Sequence, residues 1–85
     1  MNSEINTTVD ASGTLCPEPV LRASAALRGM APGEVLLLIA TDPHAELDVE
    51  VFCLRRGHEL LESVADGSEW RFRIRRGNLN GVDRP

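Results

Sequence analysis

Ile5, Thr7, Val9 and Ala11 alternate with polar neighbours, the period-two signature of a half-covered strand. Asp10 to Thr14 follows as turn chemistry, with Gly13 free to take positive φ and Leu15 expected to point inward behind it. Val20, Ala23 or Ser24, and Leu27 then recur at helical spacing, which predicts a helix from Pro17 to about Arg28. Leu21, Arg22 and Arg28 lie off that stripe, so Leu21 is expected as an exposed apolar residue. Gly29 fits the left-handed position after the helix, and Pro32-Gly33 fits a type II turn. Glu34 to Ala40 is an apolar run bounded by turn signals, which predicts a central strand.

The next stretch supports two patterns. Leu47, Val49 and Val51 alternate like a strand, whereas Val49, Phe52, Cys53 and Arg56 have helical spacing. Asp48 as a cap, Glu50 in a first turn and Gly57 past the end favour the helix, with Cys53 buried beside Phe52. His58 to Ala65 and Glu69 to Arg76 form two strands around the hairpin signal Asp66-Gly67-Ser68. Trp70, Phe72 and Ile74 mark the packed face of the second, and Arg71, Arg73 and Arg75 its wet face. The order βαβαββ predicts an α/β (α+β) two-layer sandwich, a four-stranded mixed sheet with two helices on one face. A single domain is expected over residues 1–77, with a flexible C-terminal tail over 78–85.

Composition narrows the chemistry. With 42% hydrophobic and 26% charged residues, the 85-residue chain suits a soluble single-core domain. Its first residues carry neither a signal peptide nor a membrane span, so a cytoplasmic location is expected, where thiols stay reduced. The net charge of −4 argues against direct nucleic-acid binding. Every basic residue is arginine, and without lysine neither Schiff-base chemistry nor a P-loop is available. Two cysteines and two histidines match no metal-site spacing, so no metal is expected.

Cys16-Pro17-Glu18-Pro19 is the segment with distinctive chemistry. Proline suits the first helical position, so Pro17 is expected there with Cys16 as the N-cap, facing the amides of Glu18 and Val20. The positive end of the helix dipole would then favour thiolate. A free cysteine is more often a buried small hydrophobe, but the proline bracket and the helix start favour a functional thiol here. No motif ties His44 or His58 to Cys16 as a base, Asp42, Glu46 and Asp48 read equally well as caps and loop residues, and no Cys-x-x-Cys pair exists. The arginine stripe reads better as a solvated sheet face than as an anion site. One displayed thiol without surrounding machinery suits a carrier of an atom or small group.

Asp10-x-x-Gly13-x-x-Cys16-Pro17-Glu18-Pro19-Val20 resembles the signature of the TusA-like (SirA-like) sulfur-carrier family. Pro32-Gly33, Asp42-Pro43, Asp48, Phe52-Cys53, Gly57-His58-Glu59, Asp66-Gly67 and Ile74-Arg75-Arg76-Gly77 extend the likeness over Thr8 to Gly77. The resemblance implies the same sandwich and a sulfurtransferase-type carrier whose cofactor is no more than a covalent persulfide on Cys16. Pro17 and Pro19 would fix its presentation, and Leu21, Arg22 and Asp42 would lie where partners dock. The implied partners are a donor, either a cysteine desulfurase or a rhodanese-like protein, and a DsrE-like acceptor. The implied pathways are tRNA thiolation, cofactor assembly or sulfur oxidation. Members often carry basic residues where Ser24 and Ala25 stand, with Arg22 and Arg28 nearby here. The competing function is a thiol-based regulatory or redox module that transfers no sulfur.

Overall fold

The computed structural model describes residues 5–77. It contains β1 (Thr7–Ala11), α1 (Glu18–Arg28), β2 (Val35–Ala40), α2 (Ala45–Arg56), β3 (Glu59–Asp66) and β4 (Glu69–Arg75). The expected tail over 78–85 lies outside the described residues. The strands form one mixed sheet in the order β1-β2-β4-β3, parallel between β1 and β2 and antiparallel elsewhere. The two helices lie against one face, as the βαβαββ pattern implies.

Strand parity explains which face is covered. In β2 and β4 the cross-strand pairs Leu36–Ile74 and Leu38–Phe72 are fully buried, whereas Leu37 and Ile39 pair with Arg73 and Arg71 on the open face. Ala23 and Leu27 of α1, with Ala45, Val49, Phe52 and Cys53 of α2, complete the core from the helical side. On the open face Arg71 pairs with Glu69 and Asp66, Arg73 with Glu62, and Arg75 with Glu59. The stripe is therefore a neutralised ladder rather than an anion site. A bulge between Leu60 and Glu62 makes this ladder possible, because without it their even spacing would put both on the core side.

Several boundaries differ from the sequence pattern. Ile5 lies outside β1 and is 43% exposed. The second helix begins at Ala45, so Asp48 falls in its first turn instead of capping it. The reason is local: the Asp42 carboxylate accepts the His44 N–H at 3.0 Å and the Asp42 carbonyl accepts the Ala45 N–H, which starts the helix upstream. Gly57 is left-handed at φ 77°, as expected, but Gly29 has φ −92° and is not. Instead of a left-handed cap, the last turn of α1 has Arg76 donating to the Leu27 carbonyl at 2.7 Å.

Candidate functional site

The β1–α1 and β2–α2 loops leave the same end of the two parallel strands, a place where open α/β sheets commonly build sites. They are stitched together by two hydrogen bonds from backbone N–H groups. Gly13, at φ 81°, donates to Thr41 Oγ1 at 2.8 Å, and Cys16 donates to Asp42 Oδ2 at 2.6 Å. Ser12 donates to Asp10 Oδ1 from both its amide and its hydroxyl, and Thr14 bonds back to the Ala11 carbonyl. The loop is thus anchored through its backbone. Leu15, expected inside, is 70% exposed as a consequence.

Helix α1 starts one residue later than the proline spacing predicts. Pro17 is the cap, no side chain caps the helix, and the Cys16–Pro17 peptide is cis. The Glu18 N–H donates to the Leu15 carbonyl and the Leu21 N–H to the Pro17 carbonyl, so the Glu18 amide is already engaged and does not face the sulfur. The thiol meets carboxylates instead. The Sγ of Cys16 and carboxylate oxygens of Asp42 and Asp48 all lie within 4.8 Å of one another. Asp48 accepts a hydrogen bond from the thiol, and this bond, with desolvation and the charges of Asp48 and Asp42, pushes the Cys16 thiol up. The expectation of a dipole-favoured thiolate is overturned, because the Asp48 hydrogen bond and desolvation, with the two carboxylate charges, outweigh the partial charge of a helix end. Asp42 moves the opposite way: the N–H groups of His44 and Cys16 hold its carboxyl low, against the effect of burial.

The predicted site residues separate into two groups. Cys16, Pro17, Leu21 and Arg22 are exposed, whereas Glu18 is half-buried and salt-bridged to Arg22 at 2.9 Å, and Pro19 is buried. Asp42, expected on the docking surface, is only 3% exposed, with both oxygens spent on backbone N–H groups. It shapes the cysteine loop from within. Cys53 is buried and its thiol is pushed up to about 11 by desolvation. His44 is exposed and its Nδ1 lies 3.5 Å from Asp42, while His58 Nδ1 accepts the Gly77 N–H.

Sequence reasoning missed Asp48 as a neighbour of the thiol, and it missed the cleft. Cys16 lies at a cleft of about 400 Å³ between Pro17 and Val20 on one side and Leu47, Val51, Phe52 and Arg55 of α2 on the other. The available signal was the position of Asp48 just after a loop that follows a strand parallel to the one before Cys16. Cys16, Asp42 and Asp48 are also the three-donor group that linear spacing does not reveal. A closed structural site would need a fourth donor.

A family model described as Sulfurtransferase TusA matches residues 7–76, from β1 to the end of the sheet. The chain belongs to the TusA family. A sulfur-carrier role follows from that membership in general terms, as does interaction with sulfur donor and acceptor proteins. A solved SirA-like protein from Desulfitobacterium hafniense is similar at 26% identity and a TM-score of 0.74, covering 85% of this TusA-family chain and 99% of that one. Among the described residues no helix is long and apolar enough to cross a membrane.

Proposed function

We propose that the protein carries sulfur as a persulfide on Cys16, as a sulfurtransferase-type carrier in the cytoplasm. A cysteine desulfurase or rhodanese-like donor loads it, and a DsrE-like protein accepts the sulfur for tRNA thiolation, cofactor assembly or sulfur oxidation. The observation that carries this reading is an exposed thiol at the mouth of an open cleft, on a TusA-family fold whose other cysteine is buried. Pro17, Glu18 and Pro19 present the sulfur, and Leu21 and Arg22 are exposed on the helix that follows it.

Loading begins when Cys16 loses its proton and its Sγ attacks the terminal sulfur of the donor's persulfide. An Sγ–S bond forms on Cys16, the donor's S–S bond breaks, and the electron pair leaves on the donor's sulfur as thiolate. In the relay an acceptor thiolate attacks that terminal sulfur, and Cys16 departs with the electron pair and regains its proton. Neither step needs an outside oxidant or reductant. A regulatory redox module would use the same exposed thiol, and the raised thiol bears on both readings alike, since sulfur transfer also proceeds through the thiolate.

The test is the unloading step. Protein persulfidated on Cys16 and freed of donor is mixed with a thiol acceptor, and both are weighed intact. The carrier reading expects one sulfur to leave the protein and appear on the acceptor. A mixed disulfide of Cys16 with the acceptor, with the terminal sulfur released as hydrosulfide and none carried on the acceptor, would support the regulatory module.

A further inference from the structure

Beside Cys16 the first half of α2 turns apolar side chains to solvent. Leu47 is 63% exposed and Val51 41%, one turn apart, and Leu54 continues the stripe at 82%. Leu47 and Val51 line the cleft together with Phe52, and Arg55 and Arg56 follow them along the helix. Arg55 is exposed and has no ion pair among the described residues. Its helical neighbours three and four positions back are Phe52 and Val51, so its own helix offers it no carboxylate on that side. The cleft therefore has a reacting sulfur and the Asp48 carboxylate at one end, an apolar middle, and Arg55 with Arg56 at the other.

We propose that this cleft receives the extended, cysteine-bearing segment of the partner protein, with an aliphatic side chain over Leu47 and Val51 and a carboxylate at Arg55. The proposal rests on the sulfur-carrier reading of Cys16, because that reading requires a partner's sulfur at the thiol. Charge complementarity selects the occupant. Asp48 repels an acid placed next to the reacting cysteine, while Arg55 attracts one further along. Seven residues of helix separate Asp48 from Arg55, roughly 10 Å at about 1.5 Å per residue. An extended strand covers that in about three residues, so the acid belongs three or four positions from the partner's cysteine.

The full chain is tested with a synthetic peptide, Glu-Gly-Leu-Gly-Cys-Gly-Leu-Gly-Glu, capped at both ends and symmetric so that chain direction does not matter. Its cysteine is supplied as a mixed disulfide with a coloured aryl thiol. Cys16 thiolate attacks the peptide sulfur, the S–S bond breaks, and the aryl thiolate leaves and is read by absorbance. The peptide is expected to react about threefold faster or more than versions with Lys for Glu or Ser for Leu. The Arg55→Glu variant is expected to invert the Glu-to-Lys ratio. Equal rates, or faster reaction of the Lys peptide as the chain's net charge of −4 alone would produce, overturn the proposal. So does a concentration-dependent dimer in sedimentation that disappears in Leu54→Asp, since a second copy would then occupy the face. Sulfur loading of Cys16 is measured separately by intact mass. Loading without peptide preference removes only the docking proposal, and preference without loading removes only the carrier reading.

Discussion

At the scale of single residues, Cys16 is held by its backbone and restrained through its sulfur. Asp42 fixes the amide from a buried position, and Asp48 accepts the thiol proton's hydrogen bond from the cleft side. The two acids have opposite consequences, one for position and one for reactivity. The carboxylates disfavour the thiolate, which slows adventitious attack on small electrophiles. Asp48→Asn removes the adjacent charge, so the thiol's pKa falls. The pH profile of iodoacetamide alkylation at Cys16 should move to lower pH, with the neutral-pH rate rising roughly three- to tenfold, since one pKa unit is tenfold in thiolate population. A profile that stays in place would show that Asp48 does not govern the thiol. Linear spacing did not show this contact, because Asp48, in the first turn of α2, reaches Cys16 only where that helix start packs beside the β1–α1 loop.

At the scale of elements, hydrophobic period was a faithful guide wherever one face alone is buried. It marked the Trp70-Phe72-Ile74 face, while an unbroken apolar run marked Val35–Ala40 and turn residues marked the hairpin at Gly67, whose φ is 67°. It failed where a polar contact set a boundary: the local Asp42 turn started α2 early, and distant Arg76 replaced the expected glycine cap on α1. The end of the sheet depends on one further close approach. Gly77 donates to His58 Nδ1 at 3.0 Å, and a Cβ built there would lie 1.9 Å from the Gly57 carbonyl oxygen. Both sides of that contact are backbone, so neither can rotate away. Gly77→Ala should lower the thermal midpoint by roughly 5–10 °C, as a loss of 1–2 kcal/mol does in a domain of this size. An unchanged calorimetric midpoint would mean that the two segments do not meet as described.

At the scale of the whole molecule, one layer of helices leaves the sheet with two unlike sides. The helical side carries the cysteine and its cleft, while the open side is a ladder in which each of Arg71, Arg73 and Arg75 has an acidic partner. Those pairs cancel the field a bare arginine stripe would project. At about 0.1 M salt, where exposed charges are screened beyond roughly 10 Å, no RNA retention is expected in a shift assay. Retention lost on replacing the three arginines would contradict that description. The central claim, that sulfur resides on Cys16, is tested most directly by intact-protein mass after incubation with a persulfide donor. The account predicts a gain of one sulfur atom in the native chain and in Cys53→Ser, and no gain in Cys16→Ser. A gain that survives in Cys16→Ser would contradict it.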